Sequence, residues 1–194
     1  HVYDHHPPSD DDIQGDFDAI EGYKGVEALK VEVGNLDKDF AAEIVLAYYY
    51  AADGSSLGGD GKISYLVFDD ADSDYAEVHQ GKSDGVLYRE LSSSKYFDLA
   101  LGDVDKDGMD EIVLGTSDIV PGDAFYNRVE VIDDSLAGYA TLKNAMNPLG
   151  KGVTYAAHVK AVDIDGDKVD EVLCGWTLFG DLDTEEFEIL QDNI

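Results

Sequence analysis

Positive charge is scarce in this 194-residue chain: 13 Lys and Arg stand against 43 Asp and Glu, a formal net charge of −30. Phosphate recognition needs clustered Lys and Arg, so nucleic acid is excluded as a partner. Anionic lipid is opposed on the same ground. Cysteine is almost missing; Cys174 stands alone, and no intrachain disulfide can form. A secreted domain without disulfides can use metal ions as staples instead. Long hydrophobic runs are also lacking. The longest, Ile44 to Ala52, has nine residues, against the roughly 20 that a membrane-spanning helix needs. No membrane insertion is expected. No amphipathic helix of three turns is visible, and the chain has only 4 Pro. Its first residue is His, so a processed or trimmed segment is expected, with any signal peptide already removed.

Aspartate is in surplus. The acids comprise 31 Asp and 12 Glu, although Asp is disfavoured inside both helices and strands. Such an excess points to loops and to oxygen ligands for hard cations. Twelve Tyr, 20 Gly and a 44% hydrophobic content set the chain apart from a disordered acidic tail.

Three segments align without gaps: Leu29 to Ala47 (LKVEVGNLDKDFAAEIVLA), Phe97 to Gly115 (FDLALGDVDKDGMDEIVLG) and Ala157 to Gly175 (AHVKAVDIDGDKVDEVLCG). Each has a run of period two, an acidic loop and a short continuous apolar run, which reads as strand, loop, buried strand. Third strands are expected at Ile63 to Phe68, Arg128 to Ile132 and Phe187 to Leu190, and fourth strands at Tyr75 to Gln80 and Gly138 to Leu142. The unit is about sixty residues of three or four antiparallel strands, a period that signals repeat architectures such as β-propellers. The expected fold is therefore all-β, with propeller-like blades over 26–90, 91–150 and 151–194, two complete and the third partial, belonging to a larger ring or assembly. Residues 1–25 read as a loop, a linker or the tail of a preceding blade. Long loops are expected at 52–62, 83–94, 117–126 and 143–152.

The loops carry the chemistry. Counted from the first candidate ligand, oxygen-bearing side chains fall at positions 1, 3, 5 and 9: Asn35, Asp37, Asp39 and Glu43; Asp103, Asp105, Asp107 and Glu111; Asp163, Asp165, Asp167 and Glu171. A tightly curled loop points positions 1, 3 and 5 at one centre, and Ca²⁺ accepts six to eight oxygens in tolerant geometry. Carboxylates packed so closely repel strongly without a cation. An EF-hand needs an acid at position 12 and a following helix. Leu46, Leu114 and Cys174 occupy that position, so the helical reading fails. Asp110 and Asp170, at position 8, are expected to point outward or to cap backbone groups. Cys174 aligns with Leu46 and Leu114 and is expected to be a buried thiol. Asp4-His5-His6 matches the DHH phosphoesterase signature only by chance, since the further acidic motifs are missing.

GDVDKDGMDEIVLG (Gly102 to Gly115) resembles the FG-GAP or VCBS-type repeat, as does VDIDGDKVDEVLCG (Val162 to Gly175) and, more weakly, GNLDKDFAAEIVLA (Gly34 to Ala47). That family builds calcium-binding β-propellers, including the head of integrin α-subunits. The resemblance implies up to three Ca²⁺ ions. It assigns ligand roles to the side chains above and to the backbone carbonyls of Ala41, Met109 and Val169. Position 6 favours Gly where φ is positive; Gly108 meets this, whereas Phe40 and Lys168 do not. With a neutral Asn35 in the first loop, the expected affinity order is 103–111, then 163–171, then 35–43.

The function these features imply is an extracellular or cell-surface module with structural Ca²⁺, serving surface assembly, adhesion or filament building. Protein partners or further copies of the chain would cover exposed blade edges, and carbohydrate is a further candidate ligand. The alternative is an enzyme: the repeats also resemble those of propeller lyases acting on rhamnogalacturonan, or the chain is a ligand-binding module attached to an enzyme. With 2 Arg and 11 Lys the chain is poorly equipped for an anionic sugar. A non-enzymatic role is therefore expected, and no catalytic residue is assigned.

Overall fold

The computed structural model describes residues 2–3, 13–15, 26–39, 41–50, 63–70, 75–83, 97–120, 124–148, 153–179 and 185–190. Among these residues every regular element is a strand. Unit 1 is an antiparallel meander of β3 (Val26–Gly34), β4 (Glu43–Tyr50), β5 (Ser64–Phe68) and β6 (Glu77–Lys82). Unit 2 repeats it with β7 (Phe97–Gly102), β8 (Glu111–Val120), β9 (Ala124–Ile132) and β10 (Thr141–Pro148). Unit 3 has β11 (Val153–Val162), β12 (Glu171–Phe179) and β13 (Glu185–Leu190). The register is common to all three: Gly34 faces Glu43, Gly102 faces Glu111 and Val162 faces Glu171. Each acidic loop therefore closes the same hairpin.

Period-two alternation sorts each sheet onto two faces. In unit 1, Val45, Ala47, Tyr49, Tyr65 and Val67 form one face, which packs on Phe97, Leu99, Ile112, Leu114 and Ile132 of unit 2. The opposite face of unit 2, with Ala100, Val113, Val129 and Val131, packs on Ala157, Val159, Val172 and Cys174 of unit 3. The three sheets thus stack in chain order. Each fully buried Val, Leu or Ile contributes about 1.5–3 kcal/mol relative to exposure. These shared cores are what sheets of three or four strands need, because a lone sheet leaves one apolar face wet. The first strands also touch one another, β7 against both β3 and β11. Asp98 links them: Lys30 Nζ lies 2.9 Å from its Oδ1, and Val159 N–H donates to its Oδ2 at 3.2 Å. The exposed His158 sits beside the same oxygen at 3.6 Å.

Among the described residues, unit 1 leaves an apolar stripe exposed. Leu29, Val31 and Val33 are 46%, 50% and 60% exposed. They occupy the positions at which Phe97, Leu99 and Leu101 of unit 2 pack on unit 1.

Within residues 1–25, β1 (Val2–Tyr3) and β2 (Ile13–Gly15) pair antiparallel. Two expectations need correction. The segment 117–126 is mostly strand, because β8 and β9 extend as one hairpin in which Val120 faces Ala124. Ser117 and Asp118, polar enough to suggest a loop, pair with Asn127 and Tyr126 along that ladder. Likewise 143–148 belongs to β10, held against Tyr126 to Val131 of β9. In both cases strand pairing overrides local polarity. The loop expected at 52–62, and the one expected at 83–94 beyond Ser83, lie outside the described residues.

Candidate metal centres

Backbone N–H groups curl each acidic loop around its own carboxylates. In unit 2, Asp103 accepts from Lys106 N–H at 2.7 Å and from Gly108 N–H at 3.1 Å. Asp105 accepts from Asp107 N–H at 3.1 Å, and Asp107 from Met109 N–H at 2.9 Å. Glu111 closes the loop by accepting from Val104 N–H at 2.7 Å. Unit 3 repeats the frame. Asp163 accepts from Gly166 and Lys168 at 2.6 and 3.0 Å. Asp165 accepts from Asp167, Asp167 from Val169 and Glu171 from Ile164. Unit 1 keeps the later part: Asp37 accepts from Asp39, Asp39 from Ala41 and Glu43 from Leu36. These Asx-type bonds take one oxygen of each Asp at positions 3 and 5 and leave the other for a ligand. The buried Met109 and Val169 side chains anchor the far ends of their loops.

Backbone strain is distributed differently from the expectation. Position 4 as well as position 6 has positive φ in units 2 and 3: Lys106 and Gly108 at 72° and 92°, Gly166 and Lys168 at 86° and 75°. Each loop therefore places one Gly and one Lys in the left-handed region, in opposite order. The Gly-at-position-6 argument no longer separates the second loop from the third. Phe40, at the same position in the first loop, lies outside the described residues.

The position-9 glutamates are deeply buried. Glu43, Glu111 and Glu171 are 2%, 0% and 3% exposed. Burial pushes the Glu111 carboxyl up to about 8; the Val104 N–H opposes the rise, and Asp105, Asp103 and Asp107 add to it. Burial likewise takes Glu43 up to about 7, with Asp37, Asp39 and Asp69 contributing. One oxygen of each, Glu43 Oε1 and Glu111 Oε1, is buried without a hydrogen-bond partner. A buried, unsatisfied carboxylate oxygen is costly, and a hard cation would satisfy it.

The structure adds ligand candidates that the loop pattern misses. Carboxylate oxygens of Asp105, Glu111 and Asp133 lie within 4.8 Å of one another, and so do those of Asp107, Glu111 and Asp134. In unit 1 the corresponding groups are Asp37, Glu43 and Asp69, and Asp39, Asp69 and Asp70. The extra acids sit in the turn between the third and fourth strands. That turn repeats: Asp69 and Asp133 N–H donate to the carbonyls of Ala76 and Ala140, and Tyr75 and Tyr139 N–H to those of Asp70 and Asp134. Both Tyr have positive φ, 52° and 58°. The sequence signal was the repeated Asp-Asp pair followed by Tyr-Ala, at 69–76 and 133–140. In unit 3 the aligned residues are Gln191 and Asp192, outside the described residues.

The centres of neighbouring units are wired together. Ser135 N–H of unit 2 donates to the Leu36 carbonyl in the unit 1 loop. Tyr139 stacks on His79, ring centroids 4.1 Å apart. Its hydroxyl is pushed up to about 12 by burial and by acids of both centres, Glu43, Asp37, Asp134 and Asp69. Lys106 reaches the unit 3 loop, donating to the Asp167 carbonyl at 3.1 Å. Asp110 and Asp170 cap backbone groups of the preceding loops.

Compared with known proteins, the chain matches no family model, no curated protein and no solved structure. The resemblance to FG-GAP repeats therefore rests on the three loops themselves.

Proposed function

We propose that the chain is a calcium-binding module of β-propeller type in which Ca²⁺ is structural. The observation that carries this reading is the pair of buried, partnerless oxygens Glu43 Oε1 and Glu111 Oε1, each set among further carboxylates. Ca²⁺ bound by Asn35, Asp37, Asp39 and Glu43, by Asp103, Asp105, Asp107 and Glu111, and by Asp163, Asp165, Asp167 and Glu171 would satisfy them. It would also tie the first two strands of each unit together and neutralise charge. The tolerant, oxygen-rich donor set suits Ca²⁺ better than Mg²⁺, which demands strict octahedral geometry. Millimolar extracellular calcium fills even weak sites of this kind, which supports a surface or extracellular setting. The exposed stripe of Leu29, Val31 and Val33 supports a role in assembly or adhesion with a protein partner or a further copy.

Calorimetric titration and thermal unfolding test the proposal. Calcium should bind with measurable heat and raise the melting temperature, and chelation should reverse both. At a hundredfold excess over the dissociation constant, one site adds about 2.7 kcal/mol. A melting temperature indifferent to millimolar calcium refutes it.

A further inference from the structure

We infer that unit 2 holds two divalent cations rather than one, the second lying between the 103–111 loop and the Asp133-Asp134 turn. This inference rests on the calcium reading above and extends it to residues of a different hairpin. Three overlapping groups of carboxylate oxygens carry it. Asp103, Asp105 and Asp107 form one at the mouth of the loop; Asp105 with Glu111 and Asp133, and Asp107 with Glu111 and Asp134, form the others. Among these three groups Asp103 belongs to the first, and Glu111 to the latter two. Asp105 and Asp107 are common to both sides, as bridging carboxylates are in two-metal sites, where the ions stand about 3.5–4 Å apart.

A second observation points to an ion at the inner position. Asp134 is 1% exposed and its Oδ2 has no hydrogen-bond partner; Glu111 is 0% exposed and its Oε1 has none either. The remaining oxygens are committed to the backbone. Asp134 Oδ1 accepts from Leu136 and Ala137 N–H at 2.6 and 3.2 Å, and Glu111 Oε2 accepts from Val104 N–H. The turn is thus held through its own backbone N–H groups, with a carboxylate oxygen of Asp134 within 4.8 Å of one of Glu111. Charge gives the same answer. Six carboxylates converge here; one divalent cation leaves four charges unbalanced, and two leave only two, a residue that water and backbone N–H groups tolerate. In unit 1 Asp69 stands beside Glu43 and Asp37, while Asp70 groups with Asp39 and Asp69.

Counting Ca²⁺ ions by native mass spectrometry on the full chain tests the inference. The paired variant Asp133→Asn, Asp134→Asn keeps the Oδ1 acceptor and the side-chain shape, and should lose one ion per chain. Asp103→Asn should lose a different ion, and the triple variant two. An unchanged ion count in the paired variant overturns the inference. So does a triple variant that loses no more than Asp103→Asn alone, since the turn acids would then serve the same single ion. A wild-type chain that binds no divalent ion refutes the calcium reading itself, which is a distinguishable result. Anomalous maps of wild-type crystals soaked in Mn²⁺ need no variant: two peaks beside Glu111 are expected, and a single peak overturns the inference.

Discussion

Asp110 of unit 2 and Asn35 of unit 1 exchange two hydrogen bonds: Asp110 N–H donates to the Asn35 carbonyl at 2.6 Å, and Asn35 N–H donates to Asp110 Oδ2 at 2.9 Å. The first half recurs one unit on, where Asp170 N–H donates to the Asp103 carbonyl at 2.8 Å. Position 8 of one loop thus latches onto position 1 of the loop before it. The carboxylate sits where a Cβ on Gly34 or Gly102 would collide with it. At the two ends of the stack the device changes. Position 8 of the first loop is Ala42, and the residue aligned with Gly34 and Gly102 in unit 3 is Val162. A further sheet on either outer face would need a different contact.

Replacing Asp110 by Ala removes a charge-assisted acceptor and leaves the part-buried Asn35 N–H unpaired. The expected loss is about 1–3 kcal/mol. Asp110→Asn, which keeps the acceptor, should lose less. Urea unfolding of the three proteins gives the comparison; equal stability of wild type and Asp110→Ala would show that the latch contributes nothing.

Much of the fold was legible because the chain repeats. Three aligned loops flanked by period-two runs locate β3, β4, β7, β8, β11 and β12 to within a few residues, and the pattern of buried and polar positions follows the pleat. What escaped was non-local. The polar stretch Ser117-Asp118 is strand because β9 pairs with it, and no local propensity encodes that. The acids Asp69, Asp70, Asp133 and Asp134 lie far along the chain from the loops they join, so spacing inside a loop cannot reveal them. Position 4 hid its positive φ because Lys106 occupies it in one loop and Gly166 in the other, and the alignment showed no shared glycine there.

The raised carboxyls set a pH dependence for the metal-free protein. Burial raises Glu43 and Glu111 to about 7 and about 8 in the fold, against an ordinary glutamate value of 4.5. Between these values the folded chain holds more protons than the unfolded one, so stability falls as pH rises. The contribution is complete below about pH 4.5, and is lost as pH climbs through 7 and 8. Calcium-free unfolding should therefore be easier at pH 8.5 than at pH 5.5. Saturating calcium should reverse the trend, because the bound ion requires the ionised form and its binding releases protons. Chemical denaturation at the two pH values, with and without chelator, checks both signs. Glu111→Gln should flatten the chelated profile, and an unaltered profile would assign the dependence to other groups.

The loop backbones offer a test free of packing. A Cβ on Gly108 or Gly166 would meet nothing within 4 Å, so the effect of Ala there reports the positive φ alone. Gly108→Ala and Gly166→Ala should each cost about 1–2 kcal/mol. Lys168→Gly, at 75°, should relieve strain and gain up to about 1 kcal/mol after the added freedom of the unfolded chain is subtracted. Thermal melts in calcium decide this. A destabilised Lys168→Gly would mean that its side chain contributes more than its backbone costs.

The direction of stacking predicts opposite outcomes for two aligned glycines. Gly115 on β8 and Gly175 on β12 occupy the same place in consecutive units. A Cβ on Gly115 would overlap the Val159 side chain of unit 3, whereas one on Gly175 would find nothing within 4 Å. Val159 is 4% exposed within the shared core and has little room to retreat. Gly115→Ala should therefore destabilise by about 1–3 kcal/mol through overpacking. Gly175→Ala should be neutral or should gain about 0.5–1 kcal/mol, because Ala loses less backbone freedom than Gly on joining a strand. Calorimetric melting of the pair measures the difference. Equal penalties would place a packed layer over the outer face of unit 3, and a harmless Gly115→Ala would loosen the contact between units 2 and 3 on which the stacked cores depend.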